Sequence, residues 1–176
     1  MSDPANRRAP FQVLVLPFRL AEGGREYGLF RRSDSGEWQG IAGGGDEGEA
    51  PLIAAGREME EESGLPRNLP LLPLDTIAMV PRTQFQRNGH WGPEILVVPE
   101  FSFGVDATHS ELVLSHEHGE AGWFPLNIAI DRLNWDSNRT ALWELDQRLQ
   151  HQVFRPRNES APLSSAFSGR FWERWR

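Results

Sequence analysis

Glu58, Glu61 and Glu62 stand three and four residues apart, and on a helix that spacing gathers their carboxylates on one face, within about 6 Å of one another. Three anions so close repel, and an empty helix is destabilised by them. Hard divalent cations that take oxygen ligands are the readiest explanation. Arg57 precedes Glu61 by one helical turn and can orient it or a neighbour, and Glu49, ahead of the same run, can return to the same centre. The bland alternative is a solvated helix face, the usual fate of consecutive glutamates.

To hold such a cluster the chain must supply a helix with firm ends and a core to rest it on. Pro51 suits the first helical position and Gly64 the stop, with Pro66 preventing continuation, so a helix is expected over residues 51–63. Gly56 inside it marks close backbone packing, and Gly40 to Gly48 reads as a glycine-dense loop leading into the helix. Residues 1–10 read as a leading arm and Gln12 to Phe18 as a buried strand. Gly23-Gly24 then turns the chain, and Tyr27 to Arg32 returns as the second strand of a hairpin. Leu74 to Val80, Ile95 to Phe103 and Glu120 to Phe124 read as further strands. A second helix is expected from Asn138 to Gln150, capped by Asp136 or Ser137, with Leu142, Leu145 and Leu149 on one stripe. Interleaved strands and helices make the class α/β or α+β, and no internal repeat is present.

The 176 residues, 39% hydrophobic and 24% charged, suit one domain with a real core. The sequence contains no cysteine, which excludes disulfides, Cys-ligated metals and thiol nucleophiles and fits a reducing, cytoplasmic compartment. All 18 basic side chains are arginines, so lysine-based phosphate binding and Schiff-base chemistry are excluded too. A net charge of -7 argues against a general nucleic-acid or anionic-membrane binder, though a local arginine patch can still hold phosphate. No apolar run approaches the roughly 18 residues of a membrane span. The tail, residues 151–176, interleaves Phe167, Phe171, Trp172 and Trp175 with Arg170, Arg174 and Arg176. It is open to three readings: a loose extension, a packed amphipathic segment, or an arm that touches a partner or substrate.

The acidic stretch resembles the Nudix hydrolases. Gly43, Glu49, Arg57, Glu58, Met59, Glu61, Glu62, Gly64 and Leu65 fill every defined position of that family's box: Gly, five residues, Glu, seven residues, Arg-Glu, an aliphatic residue, one residue, Glu-Glu, one residue, Gly, aliphatic. The complete box outweighs the solvated-face reading. The resemblance implies a mixed central sheet between helices over residues 1–150. It also implies hydrolysis, assisted by Mg²⁺ or Mn²⁺, of a nucleoside diphosphate linked to another group. By resemblance Glu58, Glu61 and Glu62 ligate metal, as does the carbonyl before the box glycine, which here is Ala42.

Beyond the box, Arg31-Arg32-Ser33 through Glu37-Trp38-Gln39, Glu94 to Phe103, Ser115-His116-Glu117-His118, Trp123-Phe124 and Asn134 to Arg139 look like the bacterial dATP and dihydroneopterin triphosphate pyrophosphohydrolase branch. That branch implies a nucleoside or pterin triphosphate as the small-molecule partner, cleaved to monophosphate and pyrophosphate. It places Glu117 as a base or extra metal ligand, the alternative being a surface loop acid. His116 and His118 flank it, either as an i, i+2 pair that binds metal on an extended segment or in hydrogen-bonding or solvent roles, the latter favoured because the box already houses the cations. Trp38 is a candidate for stacking on a base, or a core residue. Arg31, Arg32 and Arg82 are candidate phosphate clamps, or exposed arginines. The alternatives are ADP-ribose, a dinucleoside polyphosphate or capped RNA as substrate, or a nucleotide-binding module without turnover. Oligomeric state is open, a homodimer included.

Overall fold

The computed structural model describes residues 8–85 and 91–154. Its elements run β1 (Arg8–Ala21), β2 (Gly24–Arg32), β3 (Trp38–Gln39), β4 (Ile41–Asp46), α1 (Pro51–Ser63), β5 (Leu71–Pro81), a 3₁₀ turn (Arg82–Gln84), β6 (Val97–Asp106), β7 (His118–Phe124), α2 (Leu126–Arg132) and α3 (Asp136–His151). β1 is the axis of the sheet. On one edge it pairs in parallel with β6, and β6 pairs with β5 antiparallel. Its other edge is shared: Phe18 to Ala21 meet β2, and Arg8 to Val15 meet β4. β3 pairs with β2, so residues 38–46 run off β2 and onto β1. Gly40 sits at the crossing, where a Cβ would lie 2.8 Å from Leu14 Cδ1 and 2.9 Å from the Val15 carbonyl oxygen.

Alternation along β1 builds two cores. Val13 and Val15 join Phe30, Ile41 and the helix residues Ala54, Ala55 and Met59 on one face. Leu14, Leu16 and Phe18 join Tyr27, Leu29, Ala141, Leu142 and Leu145 on the other. A mixed sheet thus lies between α1 on one side and α2 with α3 on the other. Gly56 packs its Cα against the Arg67 carbonyl, as its place inside the helix suggested.

Several expectations are corrected. The glycine-dense stretch is not a loop: most of it is β4, because its glycines are backbone on which other side chains rest. Residues 8–10 belong to β1 rather than to a leading arm, since they run opposite β4, with Arg8 across from Asp46. Neither Asp136 nor Ser137 caps α3; Trp135 holds the cap position without a side-chain capping bond, and Asp136 pairs instead with Arg139 at 2.6 Å. α2, behind Pro125, was not foreseen. The aromatic and arginine residues of the tail beyond 154 lie outside the described residues.

Candidate active site

α1 is held by its two punctuation residues. Pro51 needs no amide donor at the first turn, and Gly64 ends the helix in the left-handed conformation (φ 68°), its N–H donating to the Glu60 carbonyl at 3.0 Å. Beneath the helix a Cβ at Gly43 would overlap the Glu58 carboxylate, and one at Gly45 would overlap the Phe11 ring. Glycine is therefore required at position 43 for Glu58 of the helix to lie this close to β4, and at position 45 for Phe11 of β1 to do so.

Arg57 gathers the acids. Its Nε and Nη2 donate to the two Glu49 oxygens at 3.1 and 2.9 Å, and Nη1 donates to Glu58 at 2.8 Å and to Glu61 at 3.3 Å. Nη2 also reaches the Gly44 carbonyl at 3.0 Å, which ties the cluster to β4. Bound first by Glu49, the guanidinium is held well above its ordinary pKa, and Glu49 in turn is held below the usual carboxylate range. Burial raises Glu58 and Arg57 opposes that rise.

Glu62 is wired differently. It is buried, its Oε2 has no hydrogen-bond partner among the described residues, and burial followed by the charges of Glu58 and Glu117 pushes its pKa up to about 8. A hydrogen bond from the Ala42 backbone N–H to the Glu62 carboxylate opposes this rise. In an extended strand the N–H and C=O of one residue point the same way, so the Ala42 carbonyl faces the same centre. The loop after β6 closes the far end: Val113 N–H donates to Ser63 O at 2.8 Å and Ser115 N–H to Glu62 O at 3.3 Å. This docking brings exposed Glu117 near enough for its charge to act on Glu62 and on Arg32, whose guanidinium is bound first by Asp34 and donates to its two oxygens at 2.8 and 2.6 Å.

Of the residues singled out by sequence, the structure thus brings together Arg57, Glu58, Glu61, Glu62, Ala42, Glu117 and Arg32. Arg31, one residue along β2, faces the opposite side and bonds to Gly36 O at 3.1 Å. Trp38 packs in the α2–α3 core, edge-on to Phe124 with Arg132 over its ring. Arg82 bonds to Gly92 O at 2.9 Å beside the β5–β6 connection. His116 is exposed, whereas His118 is buried beside Glu62, a placement its sequence position did not disclose. Glu100, assigned no role by sequence, is buried on β6 with Gln12 donating to it at 2.8 Å. A lone glutamate within an apolar strand was the available signal.

Among the described residues no three His, Cys, Asp or Glu side chains stand as a closed cation cage, since Arg57 draws Glu58 and Glu61 toward itself. The donors present nevertheless fit a hard divalent cation: they are all oxygens, and Glu62 among them is buried under the like charges of Glu58 and Glu117, which a cation would offset.

A family model for the NUDIX domain matches residues 11–143. A candidate NUDIX hydrolase from Listeria monocytogenes is 39% identical, with 84% of this chain and 99% of that one covered and a TM-score of 0.76. The dihydroneopterin triphosphate pyrophosphohydrolase of E. coli is 22% identical over 79% of this chain and 97% of its own, TM-score 0.64. The NUDIX domain of Shewanella oneidensis NrtR, solved with ADP ribose, is 15% identical over 84% and 94%, TM-score 0.63. Those last two show likeness of fold. No curated protein matches the sequence. With three quarters of its length inside the family model and its box carboxylates gathered by Arg57 over a glycine strand, the chain belongs to the Nudix hydrolase family.

Proposed function

We propose that the protein hydrolyses a nucleoside or pterin triphosphate to the monophosphate and pyrophosphate, with Mg²⁺ or Mn²⁺. The observation that carries this reading is the Arg57-bound carboxylate set above Gly43, open toward Glu117 and Arg32. Glu58, Glu61, Glu62 and the Ala42 carbonyl would hold the cation, which when bound supplies neutralisation of phosphate charge and a lower pKa for the attacking water. Arg57 and Glu49 keep Glu58 and Glu61 in place. Exposed Glu117 accepts the proton as the water oxygen bonds to phosphorus and the bridging P–O bond breaks toward pyrophosphate. Arg32 meets phosphate charge at the same opening. The triphosphate preference is supported by the sequence words shared with the dihydroneopterin triphosphate branch. A cytoplasmic setting belongs to the same reading, on the absence of cysteine.

The test is a panel of nucleoside triphosphates, dihydroneopterin triphosphate, ADP-ribose and diadenosine polyphosphates, each incubated with purified protein and Mg²⁺ and resolved chromatographically. Monophosphate plus pyrophosphate from a triphosphate is expected, and none after exhaustive chelation. Orthophosphate as first product, or turnover of ADP-ribose alone, would overturn the substrate class. Activity that survives chelation would overturn the metal chemistry.

A further inference from the structure

Beside Glu62 lies a buried histidine to which the proposed chemistry gives no role. His118 is the first residue of β7, where it pairs with Arg32 of β2. Its side chain is 1% exposed, and its ring lies 5.2 Å from that of Phe30. Neither ring nitrogen has a hydrogen-bond partner among the described residues. Nε2 faces Glu62 Oε2 at 3.7 Å, and that oxygen is equally unpartnered and buried. Buried polar atoms in folded proteins are almost always bonded, so two of them left facing each other mark a contact made in another state of the site. At 3.7 Å the pair is beyond hydrogen-bond range, and closing it takes a movement of only about 0.7 Å.

We propose that His118 is the positioning residue for Glu62: its Nε2–H donates to Glu62 Oε2 and so fixes the carboxylate with its other oxygen presented to the cation. The inference rests on the metal-dependent reading above. Ligating carboxylates are generally held by such outer hydrogen bonds, whose loss weakens metal affinity by roughly 10–100-fold. Phe30 sets the plane of the imidazole. The Ser115–Glu62 backbone bond fixes how far the loop before β7 stands from α1. The ring is thus braced from both sides, as a positioning group must be.

The experiment compares the whole protein with His118→Phe, which fills the space without a donor, and His118→Gln, whose amide N–H reaches a position near Nε2. Mn²⁺ binding is followed by loss of the free-ion paramagnetic resonance signal and by melting temperature, alongside kcat and KM. His118→Phe is expected to raise the half-saturating Mn²⁺ concentration by about 10-fold or more and to lower kcat with little change in KM, and His118→Gln to recover to within about 3-fold of wild type. Nitrogen NMR of the wild-type ring should show the Nε2-protonated tautomer. That measurement stands even if the phenylalanine variant does not fold. Wild-type Mn²⁺ affinity in folded His118→Phe, no recovery in His118→Gln, or an Nδ1-protonated ring would overturn the proposal. Normal Mn²⁺ binding with no hydrolysis of any panel substrate would remove the proposed reaction and leave this inference standing. No Mn²⁺ binding by wild type would remove both.

Discussion

Two carboxylates, one on each face of the sheet, are buried to almost the same degree and treated in opposite ways. Asp146 on α3 is 6% exposed and Glu62 on α1 is 5% exposed. Asp146 Oδ1 accepts the Tyr27 hydroxyl at 2.6 Å and two Arg25 N–H groups at 3.3 and 3.2 Å. Glu62 has an oxygen with no partner and two like charges acting on it. Burial alone therefore does not say what an acid is for. Where an acid is bonded by a hydroxyl and a guanidinium, it braces the fold. Where a buried oxygen is left unbonded, the resting fold carries a cost that the working state of the site relieves.

The largest expected effect breaks this pair apart. Asp146→Ala strands the buried Tyr27 hydroxyl and should cost about 2–4 kcal/mol in denaturant unfolding, while kcat per folded molecule stays within roughly 2-fold of wild type. Glu62→Gln should do the reverse: kcat falls by at least ~10²-fold, while the metal-free protein melts close to wild type at neutral pH, because burial already holds Glu62 largely protonated there and the amide matches that neutral form. If Glu62→Gln destabilised the fold as Asp146→Ala does, the contrast between the faces would be lost.

The two faces should also carry opposite pH signatures. The Glu62 pKa is raised, so the native state binds a proton that the unfolded chain releases near its ordinary pKa of about 4.3. Its contribution to stability is full below that value and is lost as pH rises toward about 8. On the other face burial raises Glu144, but hydrogen bonds from Thr76, Asp75 and Arg148 outweigh it and hold the acid low. Its contribution is present above the ordinary range and is lost as pH falls. Melting of the metal-free protein should therefore decline between about pH 5 and 8, and millimolar Mg²⁺ should flatten that decline by favouring the ionised box. A decline that persists in Glu62→Gln would place its source elsewhere.

The unequal legibility of the chain follows the same division. The helix over 51–63 was readable to the residue because its signals are local: a proline that lacks a donor at the start, a glycine free to turn left-handed at the end, and carboxylates one turn apart between them. Strands β1, β2, β5, β6 and β7 were readable in kind, each from its apolar run, though most extend beyond the expected limits because pairing partners continue them. β4 was not readable. Gly43 to Gly45 look like a flexible loop until Glu58, Arg8 and Phe11 arrive from distant parts of the chain to lie on them. The choice between Arg31 and Arg32 likewise depends on which face of β2 meets α1, and the burial of His118 on how the loop before β7 docks. Spacing along one element cannot express either fact.

Glycine gives a matched test at lower amplitude. Gly43→Ala drives a Cβ into the Glu58 carboxylate, whereas Gly104→Ala drives one into the Leu145 side chain on the opposite face. The first should lower kcat by about 10-fold or more as Glu58 leaves its place. The second should cost roughly 1–3 kcal/mol of stability through overpacking and leave kcat per folded molecule unchanged. Equal activity losses would mean that strain passes through the sheet rather than staying on one face.

The smallest expected effect separates neighbours on a single helix. Glu60 and Glu61 have side chains 44% and 55% exposed, and each meets an arginine. Glu60 pairs at 2.6 Å with Arg67, itself 57% exposed, whereas Glu61 is held by Arg57, which is 20% exposed and bonded also to Glu49 and Glu58. An exposed pair contributes between nothing and about 1 kcal/mol, because water and salt screen it and two long side chains must be ordered to form it. Glu60→Gln should therefore leave kcat within about 2-fold and stability within about 0.5 kcal/mol of wild type. Glu61→Gln has no larger structural contact to lose, yet it should cut kcat by about 10²-fold, since it removes a charge directed at the cation. Parallel losses at 60 and 61, measured as kcat at saturating Mg²⁺, would mean that the helix as a whole had been damaged, and would withdraw the metal-directed role from Glu61.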